Sequence, residues 1–317
     1  DVSCISLEHK LGIHGSPTCT LAFGENGGAI GYLVGEPHNG LAAMFTMMND
    51  ARQGVGLQGL SVSERSYQQA LAYAKERLQG TRKDGSRYPI IEFPDVRRML
   101  MLMKAGTEAM RALAYEASAE IDRSRLATDP EAKVRHFARV ELYTPIVKGW
   151  LTELSIELTS HGVQVHGGMG YVEETGSAQH FRDARITTIY EGTTAIQAND
   201  LVGRKTLANG GAVVSELLRD IRATADELTA TGDMAAMGAD LSEAADWARE
   251  AVDWILGHAK QDRHAAGSAS VNYLMLLGYV CGGWLMGRSA LAASKRLGEG
   301  SGDASFLEGK LATARFF

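Results

Sequence analysis

The chain has 317 residues and a formal charge of −6, with 45% hydrophobic, 22% charged and 7% aromatic residues. That length suits two ordinary domains, or one large domain with an appendage, and the apolar content is enough for a sizeable core, which excludes extended disorder. The acidic balance offers no basic face to neutralise phosphates, so nucleic acid is not an expected partner. Cys4, Cys19 and Cys281 are widely spaced and form no C-x-x-C, which argues against a disulfide framework or a zinc site and suits a reducing, cytoplasmic setting. The opening DVSCISLEHK has neither a basic region nor an apolar run, so no signal peptide is expected; without an initiator Met the chain reads as cut rather than begun.

The first 40 residues are β-prone. The runs 18-TCTLAF-23 and 29-AIGYLV-34, separated by 24-GENGG-28, predict a hairpin, marginal alone and in need of a packing partner. From Leu41 the period becomes helical. Met44, Met47, Met48, Ala51, Val55, Leu60, Tyr67, Leu71, Ala74 and Leu78 form one apolar stripe, and 80-GTRKDGSRYP-89 reads as a loop. Pro94 stands where a helix start tolerates it, and Val96, Leu100, Met103, Met110, Leu113, Ala117 and Ile121 make the second stripe. After the break at 123–133, a third helical region over about 131–162 is expected to kink or restart at Pro145. Long helices with short connections must lie antiparallel to bury their stripes, so a mainly α bundle is expected.

Glycines cluster at 166-HGGMGY-171, where backbone can approach a ligand, but no strand precedes them and the spacing is not that of a dinucleotide loop. His161 and His166 do not share a helix face, so no metal is expected. The segment 207-LANGGAV-213 reads as a linker to a further helical section, 206–317, in which Leu241, Ala245, Ala248, Val252, Ile255 and Ala259 give one amphipathic helix. Residues 265–287 carry no charge and are long enough to span a membrane, yet Asn272 and five glycines favour a buried helix, with Gly278 and Gly282 admitting a close neighbour.

The stretch 186-ITTIYEGTTAIQAND-200 places Glu191 just before a helix, because Thr194 and Gln197 fit the capping box S/T-x-x-E/Q for a helix from Thr194 to Lys205. Two readings are open. Glu191 interacts with the helix dipole from a solvated loop, or it is a general base, with the dipole and burial under an apolar ligand acting on it in opposite directions.

Residues 164-QVHGGMGYVEETGSAQHFRDARITTIYEGTTAIQ-197 resemble the active-site region of the acyl-CoA dehydrogenase family, with its glycine loop, R-D-A-[RK]-I run and I-Y-E-G-T-x-x-I-Q in this order. Upstream, 10-KLGIHGSPTCTLAF-23 with 33-LVGEPHNGL-41 is similar to the family's late β-domain, and 49-NDARQGVGLQGL-60 to its first C-terminal helix, so the resemblance covers residues 1 to about 205. It implies three parts: 1–40, a remnant of the middle β-domain; 41–205, the helical bundle; and 206–317, an additional helical domain like that of the family's longer branch. That branch implies a chain of about twice this length.

The resemblance also implies α,β-dehydrogenation of an acyl-CoA thioester with FAD as hydride acceptor and Glu191 as the base removing the α-proton. Arg52 then matches an arginine near the substrate, and Tyr190 and Gly192 border the acyl chain and thioester. Arg77, with Gln79, matches positions that reach the FAD of a neighbouring subunit, as do Gln164 and Gly168; Thr193 matches a threonine at the FAD pyrophosphate. The run 78-LQGTRKDGSRYPIIEFP-94 departs from the family pattern beside Arg77. Implied partners are the acyl-CoA, an electron-transfer flavoprotein as acceptor, and further copies in a dimer or larger homo-oligomer. Two alternatives stay open: an acyl-CoA oxidase returning electrons to oxygen, and a non-catalytic helical assembly fragment.

Overall fold

The computed structural model describes residues 1–317, with every side chain but those of Thr46 and Arg263. Three long helices form its body: α1 (Gly40–Glu76), α2 (Pro94–Leu126) and α3 (Pro130–His166), each packed on the other two. Their apolar spacing dictates the arrangement. Met103, Met110 and Leu113 of α2 and Leu142, Ile146 and Trp150 of α3 are fully buried, and each such side chain contributes about 1.5–3 kcal/mol of transfer free energy. Pro94 and Pro130 start their helices, where the missing N–H costs nothing. Asp129 caps α3, its carboxylate accepting from the N–H of Glu131 at 3.2 Å and of Ala132 at 3.1 Å.

Four local expectations are corrected. First, α3 runs unbroken through Pro145, because its flanks, Tyr143, Thr144, Ile146 and Val147, are packed into the core on all sides. Second, the N-terminal hairpin joins β1 (Val2–Leu7) to β2 (Cys19–Phe23), not 18–23 to 29–34. The Gly24 N–H continues that ladder to Asp1 O, and Asn26 bonds the Asp1 carboxylate, so the chain after β2 closes onto the N-terminus. Ile30, Tyr32 and Val34 stand exposed. Third, the 80–89 loop contains a short ladder of β3 (Leu78–Thr81) and β4 (Arg87–Pro89), with the Tyr88 ring over Gly80. Fourth, the α1 stripe is trimmed at both ends: Met44 and Met47 in the first turns are exposed, as is Leu78 beyond the helix in β3, whereas Val55, Leu60 and Ala74 are buried.

Beyond α3 come α4 (Ser177–Arg185) and α5 (Thr194–Asp200), which continues as a π-helical turn over Leu201–Thr206. Left-handed Gly210 and Gly211 turn the chain into α6 (Ala212–Thr229), α7 (Ala235–His258), α8 (Arg263–Gly298) and α9 (Ala304–Phe316). Leu241, Ala245, Ala248, Val252 and Ile255 are the buried face of α7. Among the described residues α8 is the one helix with the length and hydropathy to cross a membrane, but Leu274, Leu277, Cys281 and Ala290 are fully buried inside the molecule. Its Gly278 admits the Trp150 ring of α3, so a single hydrophobic core runs from the bundle into the added helices.

Candidate active site

The glutamate turn is built between α4 and α5. Ile186–Thr188 form a 3-10 turn, and Glu191 then adopts φ +55° and Gly192 φ +91°. Left-handed backbone at a glutamate is uncommon and costs on the order of 1–3 kcal/mol, so something must hold it. Gln197 does so: fully buried, it donates from Nε2 to the carbonyls of Glu191 at 3.2 Å and Gly192 at 3.3 Å. A Cβ on Gly192 would stand 2.7 Å from that Nε2, which is why glycine follows the glutamate.

The capping register is one residue earlier than the sequence suggested. Thr193 is the N-cap, its hydroxyl accepting from the Ile196 N–H at 3.4 Å, and Gln197 is freed to clamp the turn. Thr194 instead donates to Glu153 of α3 at 2.5 Å, and the Tyr190 hydroxyl donates to Gln58 of α1. Burial and the Glu191 charge both push the Tyr190 phenol up. The turn is thus tied to α1, α3 and α5 together, with Glu191 half-buried among them.

Arg52 is buried on α1 and pairs through Nη1 with Asp200 of α5 at 3.4 Å, while Arg204 bonds the other Asp200 oxygen at 2.5 Å. The Arg52 Nε has no partner. Beside Asp200 opens a cleft of about 550 Å³, lined also by Asn49, Phe137 and Thr144. Sequence reasoning missed Gln197 as a clamp, Asp200, Glu153 and, above all, Lys148. Lys148 is fully buried on α3 with no hydrogen-bond partner for Nζ, and burial pushes it down to about 8 against the opposing pull of Glu153 and Glu191. The available signal was a lone Lys inside the apolar run 146-IVKGWL-151.

A second group of expected residues lies elsewhere. Arg77, Gln79, Gln164 and Gly168 converge on a cleft of about 500 Å³ between the end of α1, the start of α2 and the glycine turn after α3. Glu191 does not line it. Arg77 makes no ion pair among the described residues, and Gly167 and Gly168 have open space where a Cβ would stand. Gly170, by contrast, is pressed on α3, where a Cβ would meet Val163 O at 2.2 Å. His166 stacks on Tyr73 at 4.4 Å and bonds Gly162 O through Nδ1 at 2.7 Å, and burial pushes its imidazole down. No cluster of metal-ligating side chains occurs among the described residues.

Comparison with known proteins bears on this geometry. Residues 38–207 match the acyl-CoA dehydrogenase C-terminal domain family, and residues 217–317 match the family described as acetyl-CoA dehydrogenase C-terminal like. The 3-methylmercaptopropionyl-CoA dehydrogenase of Ruegeria pomeroyi is 48% identical over 320 residues, covering 100% of this chain and 54% of its own length. The structure of Caenorhabditis elegans ACDH-11 in complex with C11-CoA aligns with TM-score 0.78 at 21% identity, over 99% of this chain and 49% of that one. An acyl-CoA dehydrogenase complexed with FAD from Bacillus anthracis aligns with TM-score 0.70 at 23% identity, over 99% and 53%. The chain spans about half the length of the curated relatives it matches. With one family model covering more than half of its residues, the chain belongs to the acyl-CoA dehydrogenase family.

Proposed function

We propose that this chain forms the helical half of a flavoenzyme that converts acyl-CoA thioesters to 2-enoyl-CoA, with Glu191 as the base. The observation that carries the reading is the strained glutamate turn. A carboxylate is set in left-handed backbone and clamped by a buried glutamine, at a place where three helices meet. Strain held this way marks a position whose direction matters.

The α-proton of a thioester is weakly acidic, and Glu191 takes it. The developing enolate oxygen needs donors, and the base's own backbone N–H, fixed by the clamped turn, is one candidate. Tyr190, Gly192 and Arg52 border the acyl chain and thioester in this reading; neither they nor Glu191 line the cleft beside Asp200. FAD, when bound, accepts the β-hydride. The residues of the Arg77 cleft fit such a group on their own features: bare glycine backbone at Gly167 and Gly168, an unpaired guanidinium, and the amides of Gln79 and Gln164. Thr193 contributes at the pyrophosphate only through what its capping role leaves free.

In this reading the Arg77 cleft, which Glu191 does not line, serves the FAD of a neighbouring subunit in a homo-oligomer. An electron-transfer flavoprotein is the proposed acceptor. The test uses the protein at its full natural length, loaded with FAD and mixed anaerobically with saturated acyl-CoA thioesters of graded chain length. Bleaching of the flavin with formation of the 2-enoyl thioester is expected; a bound flavin that stays oxidised with every thioester refutes the proposal.

A further inference from the structure

The left-handed glutamate lies between two stretches that are held in different ways. After it, fully buried Gln197 of α5 grips the carbonyls of Glu191 and Gly192, and Thr193 caps the helix. Before it, Ile186–Tyr190 is bonded to itself and to the end of α4. The N–H groups of Ile189 and Tyr190 both reach Ile186 O, Thr187 donates to Ala184 O, and Thr188 accepts from Arg185 at 2.8 Å. Among the described residues, one hydrogen bond carries this stretch to a distant part of the chain: the Tyr190 hydroxyl donates to Oε1 of Gln58 on α1.

Both partners suit that bond. Burial and the Glu191 charge push the Tyr190 phenol up, so it keeps its proton and stays a donor, and the amide oxygen of Gln58 is an acceptor. Gln58 stands exposed on α1, with Val55, Gly56, Gly59 and Leu60 buried around it. This part of α1 is pressed on α3: a Cβ on Gly56 would stand 2.6 Å from Val147 Cγ1, and one on Gly59 3.2 Å from Leu151 O. Tyr190 is thereby fastened to a section of helix that has no room to shift. Left-handed backbone at a residue other than glycine persists only where its surroundings over-determine it. Gln197 does so on one side of Glu191, and the Tyr190–Gln58 bond does so on the other.

We infer that Gln58 is a positioning residue for the base: through the Tyr190 hydroxyl it fixes the entry side of the turn that aims the Glu191 carboxylate. This rests on the reading of Glu191 as the base. An amide neither gives nor takes the α-proton, so the contribution of Gln58 is one of geometry. It belongs to the rate of proton removal and not to substrate binding.

The test compares wild type with Gln58→Met, Tyr190→Phe and the double variant in the FAD-loaded, full-length protein, measuring the rate of flavin reduction over a range of acyl-CoA concentrations. Methionine keeps the length of the side chain and its helix propensity but lacks the acceptor. Each single variant is expected to lose roughly tenfold in the rate at saturation, with KM and the oxidised flavin spectrum unchanged. The double variant should lose the same roughly tenfold, because either change alone already breaks the bond. A wild-type rate in Gln58→Met overturns the inference. So does a raised KM at an unaltered rate, which makes Gln58 a substrate contact, and so does a loss of roughly a hundredfold in the double variant, which makes the two side chains independent. Full activity of Glu191→Gln is a different failure, since it removes the base itself and with it the proposed reaction.

Discussion

Replacing Gly278 by alanine tests the junction between the bundle and the added helices. The new Cβ would stand 2.1 Å from Trp150 Cγ and 2.5 Å from its Cδ1, far inside van der Waals contact. The ring has no room to retreat. Trp150 is fully buried, meets Tyr279 edge-on at 5.5 Å, and lies with Cη2 3.0 Å from where a Cβ on Gly282 would be. Overpacking of this kind costs about 1–3 kcal/mol, against a gain of up to about 1 kcal/mol from the helix propensity of alanine. Gly267 of the same helix is the control, since its Cβ would meet nothing within 4 Å and only the propensity gain applies. Urea unfolding followed by circular dichroism should therefore place Gly278→Ala below Gly267→Ala by about 1–3 kcal/mol. Equal stability of the two variants would refute the packing argument, and with it the single core shared by α3 and α8.

Three further outcomes are expected. Gly170→Ala sets a Cβ 2.2 Å from Val163 O, so the glycine turn must shift, and a lower melting temperature together with weaker retention of FAD on gel filtration should follow. Arg77→Ala removes the unpaired guanidinium of the 500 Å³ cleft and should weaken FAD binding in a fluorescence titration without lowering the melting temperature. Lys148→Met should raise stability near pH 7, because a buried ion replaced by an apolar isostere is often stabilising. An unfolded lysine keeps its proton to about 10.5 and the folded one only to about 8, so the unfolded state binds more protons between these values and wild-type stability rises with pH there. The advantage of the methionine variant should accordingly shrink by about 2 kcal/mol between about pH 7 and 9.5 in paired melting curves.

Where one physical signal dominated, the sequence was sufficient. The stripes of α2 and α7 repeat with the helical period over several turns, and most of the residues they name are buried; Val96, Ile121 and Ala259, at the stripe ends, are half-buried, and Ala259 lies just past α7. Pro145 misled because a local rule about a missing N–H gave way to a tightly packed tertiary environment on both sides of the proline. The strand pairing was missed because the 24–28 turn, which does close on itself through Gly28 N–H to Gly24 O, is also bonded to Asp1, a long-range contact that no local pattern encodes. The candidate site shows the same division. The helix start was legible from spacing, though with the cap one residue out, whereas the roles of Glu191 and Gly192 came from the family resemblance. Lys148 and Asp200 lie 43 and 9 positions from Glu191, and only tertiary packing buries the one without a partner and pairs the other with Arg52 of α1.

Glu191→Gln is the most direct test of the account, because the amide keeps the size and backbone of the side chain and removes its basicity. Flavin reduction in a single anaerobic turnover is predicted to fall by about 10³-fold or more, with FAD still bound and acyl-CoA affinity little changed. Flavin reduction at the wild-type rate would show that another group takes the α-proton.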